Sequence, residues 1–138
     1  MTVTVSGLPG EPHLSVTLLY GGLCALLVTL LGAHVSILRL RLRAYVTSEP
    51  RRELVRPGRA HGNAAEWVPL AILMLAILEL SGVNATALHA FGGSLLLARL
   101  LHAYGILFKS FISTVGATLN YFVVGGMAIW AVWLHFAP

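Results

Sequence analysis

Charge is what this sequence has least of. Only 10% of its 138 residues are Asp, Glu, Lys or Arg, and only five of them are acidic. An ordinary globular domain is about 25% charged, so this chain lacks the polar surface to live in water alone. There is one cysteine, Cys24, which rules out an intrachain disulfide and gives no hint of redox compartment; its expected role is packing. No basic residue precedes Leu14, and no small-residue cleavage pattern follows the first apolar run. That run therefore reads as a span rather than a removable signal.

What is abundant is apolar surface: 57% of the chain, with a mean hydropathy of +0.83. It falls into four blocks, at about Leu14–Leu38, Ala60–Leu80, Ala85–Phe108 and Thr114–Phe136. Each reaches or exceeds the roughly 20 residues that a helix needs to cross a bilayer. The runs are continuous rather than alternating, which favours helices over barrel strands. The expected fold is all-α: a single-domain integral membrane four-helix bundle spanning residues 1–138, with a polar loop at about 44–58 punctuated by Pro50 and Pro57. A short helical turn is expected within that loop at Arg51–Val55. Gly21, Gly22, Ala25, Gly32, Ala33 and Ser36 in the first span, and Gly92, Gly93 and Ser94 in the third, are small residues that let helices approach closely.

The cations are gathered in two places. Arg39, Arg41, Arg43, Arg51, Arg52, Arg56 and Arg59 surround the first connection, and Arg99 and Lys109 lie near the end of the third span. By the positive-inside rule the first and third connections face the cytoplasm and both termini face away. The bases flank spans instead of forming a separate soluble face, which points to anionic lipid and away from nucleic acid. Of the three arginines ending the first span, Arg39 or Arg43 is expected to turn inward. His34 reads as a buried, hydrogen-bonded structural histidine, Glu79 as an exposed interfacial carboxylate, and Asn84 as a cap for the third span. Trp130, Trp133 and His135 fit an interfacial aromatic belt.

The stretch Arg59–Pro69, RAHGNAAEWVP, is the chemical centre. Arg59, Asn63 and Glu66 are spaced i, i+4 and i+7, so on a helix they share one face, covering roughly 10 Å at 1.5 Å per residue. Pro69 then removes a backbone bond and is expected to bend the helix. On the third span Arg99 and His102 are i, i+3 and share a face. Counting inward from the cation-rich end puts Glu66 and Arg99 at similar depth. A charge at mid-bilayer costs about 2.5–3.5 kcal/mol even on the lenient insertion scale, so a Glu66–Arg99 pairing, direct or through a ligand, is expected. On residues alone, a purely structural pair and a binding site are equally good accounts.

RAHGNAAEWVP followed by ARLLHAYG resembles the MAPEG family of membrane proteins in eicosanoid and glutathione metabolism, and in particular its bacterial, microsomal glutathione transferase-like members. The resemblance extends from about Arg39 to Trp133. It implies a homotrimer that binds glutathione as co-substrate between subunits in the cytoplasmic leaflet, in the inner membrane if the source is bacterial. It also implies that Arg39, Arg59, Asn63, Glu66, Trp67 and His102 are the binding residues, and that Arg99 and Ser113 are the groups nearest the chemistry. No metal is implied. Trp67 stands where a tyrosine is common, and Ser113 stands where the family usually has the arginine that serves the thiolate. A thiol of pKa about 8.5 is mostly protonated at neutral pH and the thiolate is the nucleophile; a nearby guanidinium favours the anion.

The resulting expectation is a glutathione transferase or peroxidase acting on lipophilic electrophiles or hydroperoxides. The alternative is a non-catalytic member that kept the assembly and lost the chemistry, for which Ser113 speaks. A small multidrug exporter would want an acid in the first span, and Leu14–Leu38 contains none.

Overall fold

The computed structural model describes residues 14–43 and 51–137. They form four α-helices and, among the described residues, no strand: α1 (Ser15–Arg41), α2 (Arg52–Leu80), α3 (Ala85–Phe108) and α4 (Ile112–Phe136). All four are long and apolar enough to cross a membrane. Their 24 to 29 residues correspond to roughly 36–44 Å at 1.5 Å per residue. The chain is a multi-pass integral membrane protein.

The helices differ from expectation chiefly at the start of α2. It begins at Arg52 rather than Ala60, and Pro57 and Gly58 lie inside it. The turn expected at Arg51–Val55 is the first turn of α2 itself. Pro57 is the sixth helical residue, so it removes a single hydrogen bond close to an end where donors are unsatisfied in any case. The helix also continues through Pro69. Of the polar loop expected at about 44–58, residues 52–58 are helical, and residues 44–50 lie outside the described residues.

Each of α2 and α3 touches all three other helices, whereas α1 and α4 do not touch one another. The bundle is therefore built on a central α2–α3 pair with α1 and α4 at opposite corners. Leu75, Leu78, Leu95, Met127 and Cys24 are fully buried between them, and Cys24 does the packing expected of it. The outside is as apolar as the inside. Leu18, Phe122, Ile129 and Phe136 are each about three-quarters exposed, which in a water-soluble monomer would be an aggregation surface and in a bilayer is ordinary.

Small residues set the closest approaches. A Cβ at Gly105 would collide with the backbone of Ser113, and one at Gly116 with His102 and the Ala98 carbonyl. Gly105 and Gly116 thus let α3 and α4 cross with backbones touching. Gly92 does the same for the ring of Tyr20, whose hydroxyl lies 3.2 Å from His89 Nδ1.

The end opposite the cations is tied by two caps. Asn84 Oδ1 accepts from Ala87 N at 3.0 Å and caps α3, as expected. Glu79 is not a free interfacial carboxylate: its two oxygens accept from Val16 N at 2.8 Å and Thr17 N at 2.7 Å, with Ser15 Oγ at 3.4 Å. The residue before α1 is Leu14, which has no acceptor to offer. Glu79 supplies the missing cap from another helix, placing a negative charge on the positive end of the α1 dipole.

Candidate functional site

Asn63 of α2 and Arg99 of α3 meet inside the bundle. Arg99 projects from α3 into the interior and is only 2% exposed. Its Nη1 donates to Asn63 Oδ1 on α2 at 2.9 Å. The expected direct partner was Glu66. Glu66 is exposed, one turn further along α2, and makes no ion pair with Arg99. The depth expected for the contact is right to within a turn. The rotation of α2 about its own axis, which the residue spacing leaves open, selects Asn63.

Arg59 and Glu66 flank Asn63 along α2 and both are exposed on the surface of the single bundle. Two opposite charges therefore stand outward on a membrane helix, with a half-buried amide between them that is fixed from behind by a guanidinium. Arg99 lies too deep to be one wall of an open cleft. Its reach to that face is through Asn63. Arg99 Nε is buried and makes no hydrogen bond, and burying a charge without full pairing is costly.

His102 and Ser113 come together where α3 crosses α4. His102 Nδ1 lies 2.7 Å from the Ser113 carbonyl oxygen, across the Gly105 and Gly116 crossing. The Ser113 hydroxyl donates to the Ser110 carbonyl at 3.0 Å. Trp67 is half-buried and packs edge-on to Tyr121, with ring centroids 5.0 Å apart at 89°. Arg39 is exposed near the end of α1. Arg41 and Arg43 are exposed too, so none of these arginines turns inward, contrary to expectation. The chain thus brings Asn63 and Arg99 together, and separately His102 and Ser113. Arg39 joins neither pair.

Three polar side chains near this level carry no role in the sequence argument. Asn120 is 1% exposed with its Oδ1 unpaired, and His61 Nδ1 is likewise buried and unpaired. The His61 ring lies against Gly32 of α1, and Tyr121 contacts Trp67. The available signal was the Asn-Tyr pair in the middle of an otherwise apolar α4. Among the described residues no group of three or more His, Cys, Asp or Glu could hold a metal ion.

Comparison with known proteins bears on the whole arrangement. The MAPEG family profile matches residues 17–133. Over 90 residues the chain is 37% identical to the inner membrane protein YecN of Escherichia coli K12, a stretch covering 65% of this chain and 69% of that protein. YecN from Escherichia coli O6:H1 matches to the same extent. No solved structure matches the chain.

Proposed function

The chain belongs to the MAPEG family, and from that premise we propose that it is a membrane-bound, glutathione transferase-like protein that activates a thiol for attack on lipophilic electrophiles or hydroperoxides. The observation that carries this reading is the outward face of α2. Arg59 and Glu66 are exposed on either side of Asn63; Glu66, the deeper of the two, would cost about 2.5–3.5 kcal/mol against lipid, whereas Arg59 lies near the cation-rich end of α2 and can reach the headgroups. A zwitterionic, multiply charged guest held against a neighbouring subunit relieves the Glu66 cost and pairs with Arg59. In this reading the protein is a homotrimer, and each site is completed by the adjacent copy.

The parts then have distinct tasks. Arg59 meets a carboxylate of the tripeptide and Glu66 its ammonium. Asn63, fixed by Arg99, offers its amide to the peptide backbone. Arg99 is a positioning residue: its charge acts through Asn63 and through the field it adds behind the face. The thiolate itself needs a cation in contact. Arg39 or Lys109, both exposed at the cation-rich end, supplies it across the subunit boundary. By the positive-inside rule that end faces the cytoplasm, where the thiol is found, while the electrophile arrives through the bilayer. Holding the two together supplies much of the acceleration.

One observation favours a second reading, a family member that binds without catalysis. Ser113 occupies the place of the usual helix-four arginine and carries no charge, and its hydroxyl donates to the Ser110 carbonyl. An aryl halide conjugation assay in detergent, with glutathione binding by calorimetry alongside, separates the readings. Arg59→Ala and Glu66→Ala are expected to weaken glutathione binding at least tenfold while leaving helix content unchanged. Ser113→Ala is expected to change turnover less than twofold. Binding without turnover in the unmodified protein selects the second reading, and full binding in both α2 variants removes the site.

A further inference from the structure

At the cation-rich end, beginning within a turn of Arg59 and running away from the face just described, the helices line an open cavity of about 490 Å³. His34 of α1 and Arg52, Glu53 and Arg56 of α2 form its polar wall, over Leu38 and Leu107. His34 is therefore not the buried structural histidine expected from its place in an apolar run. It is exposed and turned to this cavity. Arg56 is half-buried, and its Nη1 is docked on the Leu107 carbonyl at 3.5 Å, which holds the guanidinium against the end of α3. Arg52 lies one turn before it on the same helix face.

The geometry points to this cavity as a phosphate site, built for the phosphodiester of a membrane lipid lying at that end of the bundle. Three arguments converge. Two guanidiniums over one carboxylate leave a single excess positive charge, which matches the single negative charge of a phosphodiester. Guanidinium forks are well suited to paired phosphate oxygens. Glu53 then accepts from headgroup hydroxyls, and His34 adds a ring nitrogen.

The second argument is depth. From Arg56 to Glu79 along α2 the rise is roughly 35 Å at 1.5 Å per residue, against a hydrocarbon core of about 30 Å. With Glu79 at one boundary, Arg56 stands at the level of the headgroups of the other leaflet. The third is the floor: Leu38 and Leu107 offer apolar surface where the glycerol and first acyl carbons of a lipid would lie. A free phosphate would satisfy the first argument alone. The site involves none of Arg59, Asn63 and Glu66, and it stands whether or not the protein handles thiols.

The test uses the full chain, delipidated in mild detergent, with bound lipid counted by native mass spectrometry. The probes are phosphatidylglycerol, diacylglycerol as the phosphate-free counterpart, and inorganic phosphate as competitor. One phosphatidylglycerol per chain is expected, with no comparable diacylglycerol binding. Arg52→Gln is expected to weaken it about tenfold, the effect of one lost charge-assisted contact, and His34→Ala several-fold. Arg51→Gln, the adjacent exposed arginine outside the cavity, is expected to change it less than twofold.

Arg52 and His34 make no hydrogen bond among the described residues, so these variants should keep their fold, which helix content will check. Inorganic phosphate that binds and is lost in Arg52→Gln, without lipid binding, upholds the site and makes its occupant a free phosphate. Equal losses in Arg51→Gln and Arg52→Gln would show only a diffuse basic surface and overturn the site, as would diacylglycerol binding as well as phosphatidylglycerol.

Discussion

The Asn63–Arg99 contact makes an asymmetric prediction. Asn63 is half-buried and neutral, whereas Arg99 is buried and charged, and its one hydrogen bond among the described residues goes to Asn63. Asn63→Ala therefore strands a guanidinium inside the bundle. Removing one partner of a buried charge pair costs about 3–5 kcal/mol. With a neutral partner that is only half-buried, about 3 kcal/mol is expected. Arg99→Met removes the charge, keeps most of the volume, and leaves an amide that can reach the exposed side. That variant should lose about 1 kcal/mol. The double variant should then resemble Arg99→Met alone, giving a coupling of about 3 kcal/mol, well beyond the scatter of independent sites. Denaturant unfolding of all four proteins in one detergent measures the cycle, and glutathione titration of the folded proteins gives the functional arm. Arg99→Met should bind glutathione about tenfold more weakly, because Asn63 loses its fixed orientation. Additive losses within 0.5 kcal/mol would refute the structural argument. Unchanged binding in Arg99→Met would refute the positioning role.

Two further outcomes follow from the ends and crossings of the helices. Glu79→Ala should cost about 2 kcal/mol by stripping α1 of its cap, and Glu79→Gln about half as much, since it keeps an acceptor and loses the charge; equal stability of both variants and the parent in thermal unfolding would show the cap to be idle. Gly105→Ala should destabilise by about 1–3 kcal/mol despite the better helix propensity of alanine, because its methyl meets the Ser113 backbone, which cannot swing away; a stabilised variant would mean that the α3–α4 crossing is looser than described.

Much of the architecture was legible because a bilayer leaves so few options. A run of apolar residues long enough to span must satisfy its backbone internally, so the four helices and their class follow from length alone. Of the small residues singled out, Gly92 does make a close approach, but the α3–α4 crossing falls at Gly105 and Gly116, which the sequence did not mark. The start of α2 was not legible, because Pro57 and Gly58 read as a break. One lost hydrogen bond near a helix end is a small defect, and apolar neighbours carried the helix through it. The role of Glu79 was hidden by distance along the chain: nothing near it in sequence announces that the start of α1 lacks an acceptor. His34 misled in the opposite way, since an apolar run implies burial only if its side faces the bundle. Within the candidate site, the spacing of Arg59, Asn63 and Glu66 established a common face. Three residues turn a helix by roughly 300°, so Asn63 and Glu66 lie about 60° apart on that face. Which of them meets α3 is decided by how α2 rolls against its neighbours, and that is a property of packing.

That roll has a chemical consequence. Had Glu66 turned inward, its carboxylate would have been neutralised by Arg99, and the pair would explain itself as a structural bond. Asn63 instead occupies Arg99, and this leaves the carboxylate of Glu66 outside with Arg59 roughly 10 Å further along the same helix at 1.5 Å per residue. A bundle that only needed to be stable would do better with an apolar residue at the deeper, Glu66 position. Glu66 instead keeps its charge outward, too far from Arg59 to pair with it and apart from Arg99, the buried cation among the described residues. In the proposed function, a molecule with an anionic end and a cationic end bridges Arg59 and Glu66 along that face.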